Sequence, residues 1–160
     1  MLDPIQLRTN LYELCECPAN CAVCENYEEC EMRNENYCQA CKFAEAMRVY
    51  STNIIPASTT VDSAASSLET ELMATFILQV EASAEMELAF ANFANAIATG
   101  MLPAYVGTPP SGSVGFYNLF TMIFPDTWAE GAQRFASAID NWMKTGTATP
   151  SGGGSPINWS

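Results

Sequence analysis

The sequence predicts a mainly α-helical protein in which a cysteine-rich N-terminal module precedes a long helix and a small helical domain with extended Pro/Gly-rich loops. Three observations carry this. Apolar residues recur in steps of three and four through residues 61–97 and again through 128–143. Helix-start and helix-stop residues bracket those runs. All seven cysteines fall within residues 15–41 and none follows, which sets the first third of the chain apart in chemistry.

Asp3-Pro4 is a helix-start signal: a capping carboxylate, then the residue whose missing N–H costs nothing in the first turn. Leu7, Leu11 and Leu14 follow at helical spacing, so a short helix over residues 4–14 is expected to lead into the cysteines. A second helix is expected over 38–50, with Phe43, Met47 and Tyr50 on one side. Residues 51–67 are rich in Ser, Thr and Ala and contain Pro56, the composition of a linker.

From Val61 the stripe Val61, Ala65, Leu68, Leu72, Phe76, Val80, Ala84 passes into Met86, Phe90, Phe93, Ile97, and Gly100 supplies the stop. One long helix, or two in line, is expected here, roughly 50 Å in length, which would protrude, pair with its own copy or bend where the stripe shifts near Ala84. Glu69, Glu71, Glu81, Glu85 and Glu87 fall mostly off the stripe and read as a solvated face. Residues 101–115 hold three prolines and three glycines and read as loop. Phe116, Leu119, Phe120 and Ile123 then suggest a short helix, with an aromatic-rich strand as the alternative. Thr127-Trp-Ala-Glu130 has the form of a capping box. The helix it opens turns Trp128, Phe135, Ile139, Trp142 and Met143 inward and stops at Gly146.

The domain plan is therefore a cysteine module over 1–50, a linker over 51–67, a helical domain over 68–146 and an extended tail over 147–160. A Gly-Gly-Gly run has no local means of holding itself still. Ile157 and Trp159 accordingly read as apolar anchors for a groove on this protein or on a neighbour.

Within the cysteine segment Cys21/Cys24 and Cys38/Cys41 are each separated by two residues, with 13 residues between the pairs. That is close to the spacing at which two knuckles offer four thiolates to one zinc ion. Zinc held by Cys21, Cys24, Cys38 and Cys41 is the expected cofactor, and it leaves Cys15, Cys17 and Cys30 over. Disulfides are a competing use of the same residues. An iron–sulfur cluster on Cys17, Cys21 and Cys24 is the third.

The chain contains no histidine, which removes Ser-His and Cys-His nucleophile pairs, histidine bases and mixed Cys/His zinc sites. Its only lysines are Lys42 and Lys144, and no glycine loop follows a strand to hold a phosphate. The net charge of −12 is shared by both parts, with nine acidic residues against four basic before residue 51 and nine against two after it. Direct nucleic-acid contact is therefore not expected. No apolar run approaches the ~20 residues that span a bilayer, and no basic-then-apolar leader is seen, so synthesis in the cytoplasm is expected. These exclusions point away from an enzyme and toward a structural or assembly subunit. Its partners would be neighbouring protein subunits or copies of itself in a larger particle, such as a minor capsid, cement or tail component of a virion. A small iron–sulfur or thiol redox protein is the alternative.

Overall fold

The computed structural model describes the backbone of residues 1–12, 40–78, 82–121 and 128–160, and the side chains of these except 76–78, 82, 120–121 and 128. The described chain is mainly helical, as the periodicity predicts. Helix α1 spans Pro4–Tyr12, α2 residues 40–51, α3 Val61–Leu78, α4 Ala82–Thr99, α5 Phe116–Thr121 and α6 Trp128–Met143.

Helix α1 starts where Asp3-Pro4 places it: the Asp3 carboxylate accepts the N–H groups of Ile5 and Gln6 at 2.9 and 3.2 Å, two of the donors a helix start leaves unpaired. Leu7 and Leu11 are buried against the core, and α1 lies along α6, where Arg8 donates to the Gln133 side chain. The remainder of the helix expected over 4–14 lies outside the described residues.

The long rod expected over 61–99 is instead a pair. Helices α3 and α4 pack side by side and run antiparallel: Thr60, at the start of α3, donates to the Ala96 carbonyl near the end of α4, and mid-helix Glu71 meets Asn92. Burial is the reason. A straight rod leaves its stripe wet, whereas doubling back closes Leu68 and Leu72 against the face that carries Met86, Phe90 and Phe93, all buried. Each such side chain contributes about 1.5–3 kcal/mol when taken out of water.

Within the stretch read as linker, residues 61–67 are the first turns of α3, and 58–60 dock on the end of α4. The Ser58 and Thr60 hydroxyls donate to the Ile97 and Ala96 carbonyls at 2.8 and 2.6 Å, and the Thr59 N–H donates to the Gly100 carbonyl at 3.0 Å. A helix C-terminus exposes carbonyls without partners, so this Ser-Thr-Thr run helps to cap a helix remote in sequence. Its composition is explained by that role.

The loop expected over 101–115 and the tail expected over 147–160 are corrected in the same way, because they contain the strands of one small sheet. Strands β1 (Tyr105–Thr108), β2 (Thr147–Pro150) and β3 (Ile157–Asn158) form an antiparallel sheet in the order β1-β2-β3. Val106 lies opposite Thr149, and Ala148 lies opposite both Gly107 and Ile157. Helices α5 and α6 intervene between β1 and β2, so β1 has no local partner to announce it, while β2 pairs with β3 across residues 151–156. Strand β1 lies so close to α4 that a Cβ on Gly107 would come within 2.5 Å of the Ala98 carbonyl oxygen.

Four phenylalanines form an aromatic cluster in which Phe90 and Phe116 are buried and Phe43 and Phe135 pack half-buried against the core. Phe43 of α2 meets Phe90 of α4 edge-on at 6.0 Å and Phe135 of α6 at 6.3 Å. Phe116 of α5 meets Phe90 at 4.8 Å and Phe135 at 6.1 Å. These separations and tilts suit ring quadrupoles and add about 0.5–1.5 kcal/mol per pair to the area buried.

Phe90→Ala is expected to lower the free energy of unfolding by about 3–5 kcal/mol, read from urea titration by circular dichroism. Gly107→Ala is expected to cost about 1–3 kcal/mol through overpacking against rigid helix backbone. Gly152, whose added Cβ meets nothing within 4 Å, should accept alanine within about 0.5 kcal/mol.

Candidate functional site

Of the four thiols assigned to zinc, Cys21, Cys24 and Cys38 lie outside the described residues. Cys41 is described: it stands half-buried in the first turn of α2. Among the described residues no three Cys, Asp or Glu side chains come together in a metal-holding group. What the fold does define is the mount on both sides of the cysteine segment. Before it, Leu7 and Leu11 of α1 are buried, and after it Ala40, Ala44 and Met47 of α2 are buried. The segment thus leaves from one core helix and returns to another.

Helix α2 is held by polar chemistry as well as by packing. At its end the buried Tyr50 hydroxyl donates to Asp140 Oδ1 of α6 at 2.8 Å, and Lys144 Nζ donates to Asp140 Oδ2 at 2.8 Å. Both carboxylate oxygens therefore have donors, which a buried charge requires. Burial first, then the hydrogen bond and charge of Asp140, push the Tyr50 hydroxyl far above its ordinary pKa, so it is a neutral donor throughout the physiological range. On the exposed side Arg48 pairs with Glu45 one turn back and reaches Asp62 of α3 at 3.5 Å. The guanidinium hydrogen bond holds the Glu45 carboxyl below its usual range. The Asp140–Lys144 spacing is visible in the sequence as an i,i+4 pair. Its third member, Tyr50, is not, because it comes from a helix far away in the chain.

A second carboxylate departs from the solvated face assigned to it. Glu87 of α4 accepts the backbone N–H groups of Val114, Gly115 and Phe116 at 2.8, 2.6 and 2.6 Å. Val114 and Gly115 lead into α5 and Phe116 is its first residue, so the carboxylate gathers the N–H groups at the entry to that helix and pins it to α4. Glu71 likewise accepts from the Asn92 side chain. Nothing in the helical spacing separates these two glutamates from their neighbours.

The tail anchor can now be placed. Trp159 is 1% exposed and lies on Gly146, so close that a Cβ there would stand 2.5–2.8 Å from ring carbons. Its indole N–H donates to the Thr147 carbonyl at 3.0 Å, and its backbone N–H donates to the Gly146 carbonyl at 2.9 Å. Ile55 and Ser160 exchange two backbone hydrogen bonds, at 2.8 and 3.2 Å. The groove that grips Trp159 thus belongs to this chain, while the other expected anchor, Ile157, is 42% exposed.

Tyr50→Phe is expected to lose about 1–2 kcal/mol at neutral pH by leaving Asp140 one donor short. Because the folded hydroxyl keeps its proton to higher pH than the unfolded one, its contribution is complete below about pH 10. Above that it falls by about 1.4 kcal/mol per pH unit. Melting curves between about pH 9 and pH 11.5 should converge for the wild type and Tyr50→Phe as this term disappears.

No family model, no curated protein and no solved structure matches the chain.

Proposed function

We propose that this protein is a structural subunit of a larger protein assembly, with a zinc-organised cysteine module carried on a rigid helical body. The observation that carries the reading is the pairing of Cys21/Cys24 with Cys38/Cys41 at zinc-knuckle spacing, together with the position of Cys41 on a helix locked into the core through Phe43, Met47 and Tyr50. A metal bound there would be tied to the body directly through Cys41 in the first turn of α2. The module would then present a fixed surface to a neighbouring subunit, while Cys15, Cys17 and Cys30 remain over.

Two further features support an interaction role. Helix α1 turns Ile5 and Tyr12 outward on one face, at i and i+7, beside the departure of the cysteine segment. The carboxylates that are well placed for chemistry, Asp140 and Glu87, already accept hydrogen bonds from the chain's own donors. Their work is to hold elements together. A place among the minor capsid, cement or tail proteins of a virion fits the same reading.

The test is metal content and mass. The full chain, purified under reducing and anaerobic conditions, should contain about one zinc per chain and be colourless. Cys38→Ser should lose that zinc and keep the helical signal of the body. In extracts of its natural source, the protein should sediment with a particle many times its own mass. A brown protein with iron and acid-labile sulfide, or one that sediments as a lone monomer in such extracts, overturns the proposal.

A further inference from the structure

The tail is built as a donor strand separated from its own acceptor by a hinge. Every group that grips residues 157–160 precedes the glycine run in sequence: Gly146, Thr147 and Ala148 on β2 and before it, and Ile55 on the corner between α2 and α3. The chain is pinned again at Ser151, whose N–H and hydroxyl donate to the Ala104 and Pro103 carbonyls at 3.0 and 2.6 Å. Between the two fixed points lie Gly152, Gly153, Gly154, Ser155 and Pro156, all exposed. Gly153 and Gly154 have φ of 89° and 147°, in the range that side chains other than glycine's disfavour. The docked segment is thus held by one buried indole and a short run of backbone hydrogen bonds at the end of an exposed arm.

We propose that the tail exchanges between copies, so that residues 157–160 of one chain occupy the Gly146/Ile55 groove of a second chain and form the same bonds there. The inference deepens the assembly reading by naming a second copy as a partner, and it rests on that reading only for its use in the particle. Every contact made in the closed form is available in the exchanged one, because acceptor and donor lie on opposite sides of the hinge. The five hinge residues reach roughly 17 Å when extended, enough to cross between chains in contact. A short flexible linker gives the closed form an effective concentration on the order of millimolar. Dilute chains therefore keep their own tails, and exchange sets in where copies are packed at comparable density.

Complementation between two full-length variants tests this. Trp159→Ala keeps the groove and loses the anchor, whereas Gly146→Val keeps the anchor and fills the groove. With the Trp159→Ala chain labelled with ¹⁵N, adding the unlabelled Gly146→Val chain should return the Ile55 and Ala148 amide signals toward their wild-type positions. The response should grow with the concentration of the donor. A donor carrying both substitutions should produce no shift. The donor needs only an accessible tail, so poor folding of Gly146→Val leaves the experiment readable. Independently, sedimentation equilibrium of the wild-type chain at about 1 mM should show dimer that dissociates on dilution, and neither single variant alone should do so. Amides that stay in place up to about 1 mM donor, or wild-type chain that is wholly monomeric at that concentration, overturn the exchange. Either result leaves the zinc and particle measurements standing, so the two proposals fail separately.

Discussion

Four phenylalanine rings, one each from α2, α4, α5 and α6, tie four helices together through one aromatic cluster, with Phe90 and Phe116 buried and Phe43 and Phe135 half-buried against them. Helices of six to nine residues, the lengths of α5 and α1, are too short to persist alone in water. They need a shared apolar surface, and Phe90, fully buried and touching rings from two other helices, provides its middle. Fixing Phe43 there also fixes the rotation of α2. The same face of α2 buries Ala44, Met47 and Tyr50, and Tyr50 donates to Asp140 from there.

Around this cluster much of the polar side-chain chemistry is spent on the ends of helices. Asp3 closes the start of α1, Glu87 the start of α5, and the hydroxyls of Ser58 and Thr60 the end of α4. In each case a backbone group that a helix cannot pair internally is paired by a side chain. Two of the three caps come from distant parts of the chain. They therefore join elements as well as finish them, and the pieces of the fold stop moving independently.

The sheet extends this economy to the tail. Trp159 offers a large apolar ring and one N–H, and the chain offers a glycine for the ring and a carbonyl for the N–H. Such an anchor serves equally well within a chain or between chains, because nothing in its geometry refers to the covalent connection.

The helices themselves were legible from local signals. Asp3-Pro4, the three-and-four spacing from Val61 to Ile97, the stop at Gly100 and the apolar face of residues 135–143 all act within a turn or two of their own position, and a sequence displays such short-range preferences directly. What the sequence left open is whatever needs a remote partner. Whether the stripe of α3 and α4 lies straight or doubles back is decided by which apolar faces can cover each other. Strand β1 is four residues long and two helices intervene before its partner β2, so no local pattern announces their pairing. Glu87 resembles any other glutamate of α4 until residues 114–116 at the entry to α5 present three N–H groups to it, and Trp159 remains a tail residue until Gly146, lacking a Cβ, leaves room for its ring. Local propensity determined the elements; burial and the pairing of backbone groups across long separations, which only the folded chain can satisfy, decided how they are joined.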